Sequence, residues 1–203
     1  DRIKRHVQDS DAEDVLSEAD LEDCLTRAVR IYEQHRPRLL AFTQSGNGST
    51  YEWAMPSGWV DHFSTVRTVE MPTGEQLPVL HDQNEWKIVT SGTTTITTYF
   101  RFLHLIPNTG DTLRVEYTTI HILSSATNTI PETDQEALAK LASAEALEIW
   151  ATLAARQEAP TIEADAVDYT VQGRQIGDRA KLLRGQYMAH VGRGGDGTPA
   201  AAM

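Results

Sequence analysis

The hydrophobic period of this chain changes twice, from about 3.6 residues to two and back again. That switch restricts the fold to helices at both ends with an antiparallel β region between them. Near the start, Ser17 and Asp20 stand at capping-box spacing, and Leu21, Leu25, Ala28, Val29 and Tyr32 recur on one helical face. The helix has to stop by Arg36, because Pro37 lacks an amide hydrogen and biases its predecessor toward extended angles.

From residue 38 to about residue 122 the pattern alternates, and Gly, Pro, Asn and Thr punctuate it. Leu113 to Tyr117 alternates apolar with charged residues, while Ile96, Phe100 and Phe102 share one face of a strand. Residues 107–111 read as a hairpin loop between those two strands, and Trp86–Val89 reads as a hairpin partner of the strand beginning near Thr95. Leu39–Phe42 and Tyr51–Ala54 flank the turn-rich residues 45–49, giving a meander of roughly six short strands, enough for a small sandwich or curled sheet.

The helical period returns after a polar linker. Pro131 and the box Thr133 to Glu136 open an alanine-rich helix expected to reach Gln157, with Leu138, Leu141, Leu147, Ile149 and Leu153 as its larger apolar groups. A last helix from about Asp168 to Val191 carries Val171, Ile176, Ala180, Leu183, Tyr187 and Val191 near one face, with Gly192 as its cap. The expected architecture is therefore α+β. A first helix in residues 1–37 forms a bundle with two C-terminal helices in residues 123–192, an antiparallel β domain occupies 38–122, and 193–203 form a flexible tail.

Composition excludes several classes of function. With 29 acidic against 18 basic side chains, the net charge of −11 argues against a surface that grips nucleic acid or anionic lipid all over. A single cysteine, Cys24, rules out an intrachain disulfide framework or a cysteine-rich zinc site. No apolar run approaches the roughly 18 to 20 residues of a membrane span, and the first residues lack the apolar stretch of a signal peptide. The expectation is a soluble protein made in the cytoplasm.

The sequence carries no catalytic, cofactor-binding or metal-binding constellation. The seven histidines, at 6, 35, 62, 81, 104, 121 and 190, form no short ligand pair, although His104 and His121 could approach across the sheet. Cys24 suits a small buried hydrophobe as well as a nucleophile, and Gly192–Gly197 follows a helix where a phosphate loop would precede one. Trp53, Trp59 and Trp86 fit either a core or a sugar-binding face, and Asp61 with Glu70 is a carboxylate pair of unknown separation.

Charge is distributed unevenly instead. Residues 132–168 hold nine acids and two bases, whereas 174–193 hold five bases and one acid. Opposed patches of this kind suit packing of one protomer's acidic helix against another's basic one, or pairing within a single chain.

The run Gly110-Asp111-Thr112-Leu113-Arg114-Val115-Glu116-Tyr117, then His121, then Thr129-Ile130-Pro131-Glu132 opening an Ala/Leu-rich helix, resembles the head-to-tail connector adaptor proteins of tailed bacteriophages. Thr161 to Tyr169, followed by a helix with Arg179, Ala180 and Tyr187, is similar to the link and final helix of those adaptors, and the first helix ending in Tyr32 and Arg36 fits their opening segment. The β region is longer than in the smallest, all-helical adaptors.

The resemblance implies a structural neck protein of the virion and no enzyme or cofactor. Such a protein would form a homo-oligomeric ring of about twelve copies below the portal protein, completing the DNA-filled head and docking the next neck or tail-completion protein. Packaged DNA would pass through its lumen without sequence-specific binding, which acidic walls favour. On this reading Arg174, Arg179, Lys181, Arg184 and Tyr187 are the candidate subunit or portal interface. Another ring component of a tail or baseplate, and a carbohydrate-binding β protein, are the competing readings.

Overall fold

The computed structural model describes residue 3 and residues 16–75, 77–92, 97–124, 126–157 and 169–192. The fold is α+β, with three helices and two small antiparallel sheets among these residues. The chain divides into two compact units, a helical one from residues 1–36 and 122–203 and a β one from residues 37–121.

In the helical unit, α1 spans Glu18–His35. Its capping box is complete: the Ser17 hydroxyl accepts from the Asp20 amide at 3.2 Å, and the Asp20 carboxylate accepts from the Ser17 amide at 2.9 Å. The Ser17 hydroxyl also donates to that carboxylate at 2.7 Å, and this bond, together with the one from the Ser17 amide, holds the Asp20 carboxyl below its ordinary pKa. Helix α2 spans Glu132–Gln157 and α3 spans Tyr169–Val191. Helix α2 contacts both of the others. Its alanines follow from that position, since Ala137, Ala139, Ala142, Ala144 and Ala146 are all buried beside Leu138, Leu141, Leu147 and Trp150. A helix buried on several sides needs small residues that let two neighbours approach, and it shows little amphipathic contrast.

Helix α2 begins one residue before Thr133, so Thr133 lies inside the first turn and not at the cap position expected for it. The Asp134 side chain is buried and turned to other partners. At the other end of the unit Gly192 closes α3, its amide donating to the Met188 carbonyl at 2.9 Å, where a Cβ would crowd that same oxygen. The tail expected at 193–203 and the link at 161–168 lie outside the described residues.

The β-unit contains β1 (Arg38–Ser45), β2 (Glu52–Ala54), β3 (Val66–Glu70), β4 (Trp86–Ser91), β5 (Thr97–Phe102) and β6 (Thr112–Thr119). They form two three-stranded sheets, ordered β1-β6-β3 and β2-β5-β4. Val66, Val69, Leu113 and Val115 of the first sheet and Phe100 and Phe102 of the second share one core, which makes the unit a small sandwich. The β4–β5 pairing follows the expected hairpin, with Ser91 opposite Thr97.

The meander does not form. Strands β5 and β6 belong to different sheets, so residues 103–111 cross between sheets instead of closing a hairpin, and β1 and β2 are likewise separated. Strands facing each other across a core and strands paired edge to edge carry the same alternation, so the period cannot tell them apart. Three connections, residues 46–51, 71–85 and 103–111, consequently meet at one end of the sandwich, opposite the end where the chain enters β1 and leaves β6. They are tied together: the Gly46 amide donates to the Asp111 carbonyl at 2.8 Å, the Gly48 amide to Pro107 at 3.0 Å and the Leu103 amide to Glu85 at 2.8 Å.

Candidate interaction face of the last helix

Helix α3 has one face committed to its own fold. Ile176, Ala180, Leu183, Tyr187 and Val191 are buried at helical spacing against α2 and the end of α1. Tyr187 is wholly buried. Its hydroxyl lies 3.0 Å from His35 Nδ1, with the two rings edge to face at 5.8 Å. Burial pushes the phenol pKa up to about 12, with the Arg36 charge opposing and Asp134 adding to the shift.

Beside Tyr187 sits a polar knot. The Tyr32 hydroxyl donates to Asp134 Oδ2 at 2.5 Å, Arg36 Nη1 donates to both carboxylate oxygens at 3.0 and 2.9 Å, and His190 Nε2 lies 2.9 Å from Oδ1. Arg36 Nη2 also reaches the carbonyls of His190 and Val191 at 3.4 and 3.5 Å, satisfying acceptors that the end of α3 leaves open. Burial alone would raise the Asp134 pKa; hydrogen bonds from Tyr32, His190 and Arg36, with the guanidinium charge, outweigh it and hold the carboxyl at about 2. The same contact and burial drive the Tyr32 phenol upward. One carboxylate thus joins the end of α1, the start of α2 and the end of α3.

The opposite face of α3 carries the remaining candidates. Arg174, Arg179 and Lys181 are exposed, and Lys181 makes only a 3.4 Å surface pair with Asp178. Arg184 turns back to α2, bonding Glu145 at 2.5 Å and Glu148 at 3.0 Å. Of the two uses foreseen for the opposed charges, Arg184 takes the one within the chain, while Tyr187 serves the core. Three cations remain on the outer surface around Leu182, which is itself 61% exposed.

Elsewhere the candidate chemistry resolves into packing. Trp86 stacks on Phe100 at 5.6 Å, Trp53 meets Phe100 and Phe102, and Trp59 lies against Tyr117. Asp61 accepts from Trp59 Nε1 and the Thr98 hydroxyl at 2.9 and 2.7 Å, whereas Glu70 closes the far end of β3. His104 precedes β6 and His121 follows it, so the eight-residue strand holds them about 25 Å apart rather than together. Cys24 is buried in the helical core, and desolvation raises its thiol pKa. His6 lies outside the described residues, among which no group of three His, Cys, Asp or Glu side chains could hold a metal. No helix there is long and apolar enough to cross a membrane.

The Asp134 knot is not legible in the sequence because its members, Tyr32 to His190, are separated by up to 158 residues along the chain. The available signal was weak: Asp134 read as part of a cap, and His190 stood three residues beyond the apolar Tyr187 position.

No family model matches the chain, and no curated protein matches it. Among solved structures, it is similar to a chain in the neck of an empty gene transfer agent (GTA) particle computed with C6 symmetry, at 15% identity and a TM-score of 0.30, over 93% of this chain and 82% of that one. A chain in the virion of a native GTA particle is similar at 16% identity and a TM-score of 0.30, over 99% and 89%. A third similarity is to the neck of a native GTA particle computed with C12 symmetry, at 18% identity and a TM-score of 0.28, over 86% of each chain. Likenesses this slight leave the role of the chain to its residues.

Proposed function

We propose that this chain is a structural neck protein of a tailed bacteriophage or related particle, forming a ring below the portal that completes the filled head and docks the next neck or tail component. The observation that carries the reading is the two-sided last helix: one face is locked into the fold by Tyr187 and the Asp134 knot, and the other offers Arg174, Arg179 and Lys181 outward from a chain of net charge −11. A cationic strip on an acidic protein is suited to an acidic partner surface. In this reading the strip faces a neighbouring subunit or the portal, and acids elsewhere on the ring keep the lumen from adhering to DNA phosphate. The resemblance carried by Gly110–Tyr117 and Thr129–Glu132 points the same way, since these residues build β6 with its preceding turn and the opening of α2.

The use of Trp53 and Trp86 in packing removes the main support for a sugar-binding role. Electron microscopy of a lysate from a phage lacking the gene, beside a complemented control, tests the proposal. Separate filled heads and finished tails, or heads leaking DNA, are the expected result. Joined, intact particles would overturn it.

A further inference from the structure

We propose that copies of this chain associate head to tail, the apolar loop end of one copy's β-unit seating on the outward face of α3 of the next. The proposal rests on the ring reading above and names the two surfaces that would meet. The loop end concentrates exposed apolar side chains: Leu77 is 82% exposed and Leu80 64%, with Val79, Leu103, Leu105 and Ile106 also open to solvent. All six lie in two of the three connections that gather at that end, and the 5.4 Å ring contact between His81 and Phe102 holds the Leu80 and Leu103 segments side by side. Single exposed apolar residues are ordinary; such a concentration at one end marks a contact surface.

Charge selects the occupant. Residues 46–51, 71–85 and 103–111 contain Glu75, Asp82, Glu85 and Asp111 and not one Lys or Arg. The fitting partner is an apolar surface rimmed by cations, and the outward face of α3 has that composition. Leu182 and Met188, 61% and 49% exposed, bracket Gly185, where a Cβ would meet nothing. Leu182, Gly185, Gln186 and Ala189 stand at the spacing of a hole that accepts a side-chain knob. Arg174, Arg179 and Lys181 lie alongside, outnumbering the exposed Asp178 that pairs with Lys181 at 3.4 Å. The two surfaces differ, so the contact is heterologous and can propagate into a closed ring.

Two full-length variants test this by sedimentation, each first shown by thermal melting to be folded like the wild type. One carries Leu77→Asp and Leu80→Asp, the other Arg179→Glu and Leu182→Glu. Each alone should self-associate at least about tenfold more weakly than the wild type. Mixed in equal amounts they should form a one-to-one dimer, because each retains the surface the other lacks. Either variant associating like the wild type, a mixture without dimers, or a wild-type chain still monomeric at about 1 mM would overturn the interface. The lysate experiment separates this failure from that of the parent reading: unjoined heads and tails without these self-contacts would keep the neck role and discard the interface.

Discussion

The Tyr32 hydroxyl donates to the Asp134 carboxylate at 2.5 Å across 102 residues of sequence, and the whole β-unit is inserted between these two side chains. The bond therefore helps close the helical unit over a long excursion of the chain. Asp134 is 2% exposed and is also bound by Arg36, His190 and, at 3.3 Å, the Thr133 hydroxyl. Replacing it by Asn keeps the shape and removes the countercharge. Asp134→Asn should cost about 3 kcal/mol, since a buried ion pair loses one member and leaves the other uncompensated. Urea unfolding followed by far-ultraviolet circular dichroism measures the loss.

The same carboxylate gives an acid-sensitive contribution. Its pKa is about 2 in the folded chain against an ordinary 3.8, so the unfolded chain takes up the proton more readily. The stabilisation is complete above about pH 5 and is lost as pH falls from about 4 to 2, roughly 2 kcal/mol in all. Stability measured across that range should fall less steeply in Asp134→Asn than in the wild type. Parallel curves would show that Asp134 is not linked to folding.

Tyr187 separates packing from hydrogen bonding. Tyr187→Phe removes the contact with His35 and should cost about 1 kcal/mol, whereas Tyr187→Ala opens a cavity between α3 and α2 and should cost about 4 kcal/mol. Arg184→Ala, which breaks partly exposed pairs with Glu145 and Glu148, should cost less than about 1 kcal/mol. Thermal melts should place Tyr187→Ala lowest, Tyr187→Phe next and Arg184→Ala nearest the wild type.

Gly46 sits where a Cβ would run into the Asn108 carbonyl and, at 2.8 Å, Pro107 Cβ. Neither obstacle is the end of a flexible side chain. Gly46→Ala should push residues 46–51 away from 103–111 and destabilise the β-unit by about 2 kcal/mol. Hydrogen exchange at the Gly48 and Gly110 amides, which donate to Pro107 and Gly46, should rise first.

Trp86→Ala should lower stability by about 3 kcal/mol through loss of its stack on Phe100. A glycan-binding assay on the wild-type chain should give no signal that this variant abolishes. Specific glycan binding lost on substitution would restore the competing role.

Local chemistry was readable in the residues. Pro37 ended α1, the Ser17–Asp20 spacing capped it, and Ile176, Ala180, Leu183, Tyr187 and Val191 marked the inward face of α3, because caps, proline and helical period act within a few residues. What the tertiary structure decided was which apolar faces meet. Strands β5 and β6 could not be assigned to opposite sheets from their alternation, since either arrangement buries the same side chains. The division of the cations had the same origin: Arg184 is drawn inward by Glu145 and Glu148 on a neighbouring helix, and Arg179, five residues earlier on the same helix, is left to solvent. Asp134 looked like a surface cap until α1 and α3 closed around it, because the partners that make a buried charge tolerable come from segments remote in sequence and close only in space.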